Sequence, residues 1–136
     1  MKILILSIFT LLISTFLSQE ENNIKQTIVN TWRTCGLSSI DERDTLNFRP
    51  ESGNCRYVDC GEHQWSFRAS GVVEFMYTSG CDAGFSSKNE SPQKYMYSAK
   101  TNLVKMISID AYIIYFEVLK CNENELSLKR RRDLEI

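Results

Sequence analysis

The chain has a single histidine, no excess of either charge, no internal repeat and no sustained helical period in its 136 residues. Each absence removes a class of function. His63 with Cys55 and Cys60 is the nearest thing to a zinc ligand set, and the second cluster that tetrahedral zinc needs is missing. A Cys–His nucleophile pair would need an orienting third group and an oxyanion site, and neither can be identified. Glu74 and Glu117 alternate with apolar neighbours, which turns Glu74 outward as a solvated carboxylate rather than into an acid–base pair. Sixteen basic side chains against 17 acidic ones give no electrostatic reason to expect nucleic acid or an anionic membrane as partner. The only basic run, Lys129 to Arg132, reads as a solvated strand end. No catalytic residue, metal or cofactor is assigned, and the chain reads as a non-enzyme.

Long hydrophobic runs are also absent, with one exception. Ile3 to Leu17 follows Met1 and Lys2 and exits through Ser18, Gln19, Glu20 and Glu21, the pattern of a secretory signal peptide. At about fifteen residues it is short for a spanning helix, which needs roughly twenty. Residues 1–18 are therefore expected to be a signal and residues 19–136 a single exported domain, periplasmic if the host is bacterial and with no span in the mature chain. Loss of Lys2 leaves 15 basic against 17 acidic side chains, a net charge of about −2.

Five cysteines, Cys35, Cys55, Cys60, Cys81 and Cys121, all lie in the mature part. Export favours disulfides, and an odd count leaves one thiol over, with fifteen two-bridge connectivities open.

What the chain does have is β periodicity. Between Cys60 and Cys81, Trp65 and Phe67 alternate with polar residues, and Val73, Phe75 and Tyr77 do the same after a turn. A three-residue loop, Ala69-Ser70-Gly71, with Gly in the left-handed region, pairs Phe67 with Val73, Trp65 with Phe75 and His63 with Tyr77. A two-residue loop would set Phe67 against Glu74, and is rejected. The same register puts Cys60 opposite Gly80 and Cys81 opposite Asp59, so a bulge at Gly61 or Gly80 would allow a Cys60–Cys81 bridge.

Further strands are expected at Thr31 to Ile40, around Thr45 to Arg49, at Tyr95 to Ser98, at Leu103 to Ile109, at Tyr112 to Lys120 and at Leu126 to Arg130. Gly80 to Pro92 reads as a polar loop. Seven or eight short strands joined by hairpin-length turns predict an all-β, antiparallel up-and-down barrel. Trp65, Phe67, Phe75, Tyr77, Tyr95, Tyr97 and Phe116 are the candidates to line a cup in it, or to fill it. Residues 112–119 are apolar on both faces and could bind a protein partner or a second copy. Leu126, Leu128, Arg130 and Arg132 share a face of the last strand, and an arginine there could lie on the indole of Trp32 to close the barrel.

The chain resembles the lipocalin-like proteins of the calycin type, of the bacterial lipocalin-like group. The resemblance rests on Ile28-Val29-Asn30-Thr31-Trp32-Arg33, on residues 65–75, on Tyr95-Met96-Tyr97 and on residues 116–130. It implies a small antiparallel barrel around an apolar cup that binds a small apolar or amphipathic molecule. The alternative is a filled barrel acting as a protein-interaction module.

Overall fold

The computed structural model describes residues 23–35, 44–50, 61–79 and 86–135. Eight strands carry the chain: β1 (Thr31–Cys35), β2 (Thr45–Pro50), β3 (Gly61–Phe67), β4 (Val72–Ser79), β5 (Ser86–Ser98), β6 (Leu103–Ile107), β7 (Ile113–Asn122) and β8 (Glu125–Arg130). A short helix, α1 (residues 23–28), precedes β1, and a 3-10 turn, Arg132–Leu134, follows β8. The strands close into an antiparallel up-and-down barrel in the order β1-β2-β8-β7-β6-β5-β4-β3.

From β3 to β8 each strand pairs with its sequence neighbour, as tight turns require. The first two strands break that order. β1 lies between β2 and β3, and it is β2 that closes the barrel on β8, with Leu46 opposite Leu128 and Phe48 opposite Leu126. The ten residues between Pro50 and Gly61 impose no adjacency on β2 and β3, whereas connections of two to six residues favour pairing of each later strand with its neighbour. Closure on β2 corrects the expectation that Trp32 on β1 would meet Arg130 or Arg132. The guanidinium of Arg130 is held by Glu135, and that of Arg132 lies 3.7 Å from Asp44.

The central hairpin has the register the alternation predicts, with Phe67 opposite Val73, Trp65 opposite Phe75 and His63 opposite Tyr77. Its turn is closed by Arg68 N–H to Val72 O (2.8 Å) and Gly71 N–H to Arg68 O (3.0 Å), with Gly71 at φ +80°. That is a type I turn followed by a left-handed residue, the three-residue loop in which Gly is favoured.

The expected loop at 80–92 is shorter than its composition suggests, because β5 begins at Ser86. Pairing with β4 slips between Val73–Gln93 and Phe75–Glu90, so Ser91 and Pro92 face the single residue Glu74. Proline cannot donate to the ladder, and a bulge is where a paired strand tolerates it. The polar, proline-containing sequence hid a strand whose partner supplies the order.

Alternate side chains from the strands fill the interior. The buried cluster includes Trp32, Leu46, Phe48, Trp65, Phe67, Val73, Val104, Met106, Phe116, Val118, Leu126 and Leu128. Ile28 of α1 joins it, and the indole N–H of Trp32 donates to the Ile28 carbonyl at 3.0 Å. A fully buried indole thereby has its donor satisfied, and α1 stoppers this end of the barrel. No helix among the described residues is long and apolar enough to cross a membrane.

Candidate functional site

The interior is divided. Towards α1 it is packed solid, with Phe67 edge-on to Tyr95 at 5.0 Å between ring centroids. Towards the other end, where β1 finishes and β3 starts, a pocket of about 240 Å³ opens. Its deep wall is made by Trp65 of β3, Phe116 of β7 and Met106 of β6, all buried, with Phe75 and Ile114 half-buried above them. Trp65 sets the shape. Its ring is edge-on to Phe75 at 5.1 Å and to Phe116 at 5.6 Å, and it tilts on Phe48 at 5.0 Å. Aromatic side chains locked edge to face hold a wall in place without filling the space before it.

The outer part is polar. His63, Tyr77, Glu90, Gln93 and Arg130 line it together with Met76. His63 and Tyr77, opposite each other in the hairpin, stack at 4.6 Å with their planes 35° apart. Arg130 comes from the inward face of β8 after Leu126 and Leu128, and makes a two-pronged ion pair with Glu135, Nε to Oε1 at 2.8 Å and Nη2 to Oε2 at 2.9 Å. Both side chains are close to buried, at 9% and 11% exposure. Among the described lining residues, Arg130 carries the one permanent positive charge.

Of the seven residues expected around a cup, Trp65, Phe75, Tyr77 and Phe116 line this pocket. Phe67, Tyr95 and Tyr97 are not among its lining residues. The Tyr95 hydroxyl donates to the Arg68 carbonyl at 2.9 Å, and burial raises its pKa. The Tyr97 hydroxyl donates to Asn102 Oδ1 at 3.0 Å. Through these bonds the two tyrosines tie down the turns at the packed end. Alternation marks the six on strands other than β7 as inward-facing, but how far along the barrel each lies depends on the stagger of strands around it.

Met76, Met106, Ile114, Gln93 and Glu90 line the pocket without having been expected there, and His63 and Arg130 join it from the inward faces of their strands. Glu90 had no signal, since it lies in the stretch that reads as loop, and Gln93 falls between that loop and the strand expected from Tyr95. Arg130 had one, its place two residues beyond Leu128 on the inward face.

Cys121 is unbridged and half-buried beside the Leu126 end of β8, and burial pushes its thiol up to about 11. If it is the odd thiol, Cys35, Cys55, Cys60 and Cys81 remain for two bridges, with three connectivities. Cys60 and Cys81, the expected pair, lie outside the described residues, though Gly61 opposite Ser79 gives the hairpin the register from which that pair was drawn. Among the described residues no three His, Cys, Asp or Glu side chains are grouped to hold a metal. In the 112–119 strand, Phe116 and Val118 point into the core, Ile113 and Tyr115 are half-buried, and Tyr112 and Leu119 are exposed.

Comparison of the chain with protein-family models, with curated proteins and with solved structures returns no match, so the barrel and its pocket are what bear on function.

Proposed function

We propose that this is an exported, non-catalytic, lipocalin-like barrel that binds a small apolar or amphipathic molecule at the open end of its interior. The observation that carries this is the division of the barrel, solid at the α1 end and hollow at the other, with aromatic walls below a polar rim. Ligand sites are of this kind, concave and mostly apolar with a few polar groups to orient the guest. Size narrows the class. About 240 Å³ exceeds the ~150 Å³ cavity that takes up benzene and falls short of the ~300–1,000 Å³ of drug-sized sites. A single ring system or a short alkyl chain fits, and a long-chain lipid would leave most of its length outside.

The two tryptophans provide the test. Trp65 lines the pocket, while Trp32 is sealed beneath α1. A short bromine-bearing alcohol such as 6-bromohexanol, which quenches indoles on contact, is expected to quench Trp32→Phe saturably and Trp65→Phe hardly at all. Unsaturable quenching of equal strength in both variants would refute the pocket as a binding site.

A second reading has one observation in its favour. Ile109 is 81% exposed and Tyr112 53%, both in the β6–β7 turn. Under this reading the barrel is an interaction module that docks through residues 112–119 and this turn, and the bromoalcohol finds no saturable site.

A further inference from the structure

The pocket holds its only described cation in an unusual way. Arg130 is part of the pocket wall, yet its guanidinium is already engaged on two nitrogens by a carboxylate five residues further along the chain. That carboxylate, Glu135, arrives by a 3-10 turn that Arg131 fastens to β7, its N–H donating to Tyr115 O at 2.8 Å and its guanidinium paired with Glu117 and with Asp133. Beyond that anchor Arg132, Asp133 and Leu134 are exposed, and the turn is closed by Leu134 N–H to Arg131 O at 3.0 Å and Glu135 N–H to Arg132 O at 3.3 Å. The ion pair is nearly buried, and its geometry is the fork-to-fork arrangement in which Arg recognises any carboxylate.

Two charges with little exposure are costly to part, because whichever remains is left desolvated. Arg130 thus needs a carboxylate, though nothing in the two hydrogen bonds it makes to Glu135 requires that carboxylate to be Glu135. A ligand with its apolar body against Trp65 and Phe116 would bring its head to this rim. If that head were a carboxylate it could replace Glu135 bond for bond, and Glu135, beyond the exposed residues of the turn, would swing into water where its charge is well solvated, with Arg131 still holding the start of the turn on β7. A neutral ligand has no such exchange to make.

We infer that Glu135 is a built-in, displaceable occupant of a carboxylate subsite at Arg130, and that the pocket takes short carboxylate-headed amphiphiles in competition with the protein's own C-terminal turn. This rests on the proposed ligand-binding reading and adds the head-group class and the competition. Such competition reduces apparent affinity by the fraction of molecules whose turn is docked, so removing the internal carboxylate should restore it.

Octanoate and octanamide, equal in length and differing in charge, separate these terms by calorimetry on the parent and two variants. In Glu135→Gln, octanoate should bind about tenfold tighter than in the parent, with octanamide unchanged. In Arg130→Met, octanoate should lose any advantage over octanamide. Hydrogen exchange on the parent gives a readout that needs no variant to fold. Saturating octanoate should speed exchange of the Leu134 and Glu135 amides, and octanamide should leave them as they were. If both compounds bind the parent and Glu135→Gln alike and neither alters exchange in the turn, the carboxylate subsite is wrong and the apolar pocket stands. If neither compound binds any of the proteins, both readings fall.

Discussion

Phe67 and Phe116 are nearly equally buried, at 2% and 3% exposure, but one lies in the packed end and the other in the pocket wall. Truncating each to alanine should therefore have unequal costs. Both lose the transfer term for an aromatic side chain, about 1.5–3 kcal/mol. Phe67→Ala also leaves an enclosed void between Trp65 and Tyr95, which brings the total to the upper part of the usual range, about 4–5 kcal/mol. Phe116→Ala merely deepens a pocket that is already open, and water or a guest can enter the space. The cavity contribution mostly disappears and about 2–3 kcal/mol is expected. Denaturant unfolding followed by far-ultraviolet circular dichroism would give both values, and a shifted midpoint at constant slope would show that the unfolded state had not changed. Phe116→Ala should also accept a bulkier guest, such as a two-ring hydrocarbon, more tightly than the parent does, while Phe67→Ala should not. Equal destabilisation with no change in guest size would show that the interior is not divided as described.

Gly71 sits at φ +80°, and a Cβ there would meet the Tyr95 carbonyl at 3.4 Å, so Gly71→Ala should cost about 1–2 kcal/mol from backbone strain and Gly71→Asn clearly less; equal melting temperatures for the two variants would rule out the left-handed requirement. Asn102, at φ 54°, accepts from the Tyr97 hydroxyl and donates to the Val118 carbonyl at 2.6 Å, so Asn102→Ala should lose about 2–3 kcal/mol, of which Asn102→Gly recovers only the conformational part, as thermal unfolding would measure. Burial raises the Cys121 thiol to about 11, so its reactive thiolate is scarce at neutral pH and increases as pH rises towards that value. Iodoacetamide on the native, unreduced protein at pH 7.5 should label Cys121 slowly, faster at pH 9.5, and fast at either pH once unfolded; rapid native labelling at pH 7.5 would contradict the buried thiol.

The sequence by itself determined the elements that local physics controls. Alternation of Trp65 and Phe67 against Val73, Phe75 and Tyr77 settled which faces turn inward, and one glycine at the third turn position settled the register of β3 on β4. Barrel class followed, because a chain of short strands with tight turns has to pair neighbour with neighbour. Three matters needed the tertiary structure. β2, not β1, closes on β8, since a ten-residue connection carries no information about which strands become adjacent. β5 reaches back through Pro92 to Ser86, because the order there comes from pairing with β4 and its bulge, not from the propensities of a polar stretch. The pocket is decided at the same level. Inward-facing aromatics look alike in sequence, and only the stagger of strands around the closed barrel puts Trp65, Phe75 and Phe116 beside a hollow and Phe67 and Tyr95 in a solid core. Periodicity fixes the direction of a side chain, and the depth at which it sits is a property of the whole barrel.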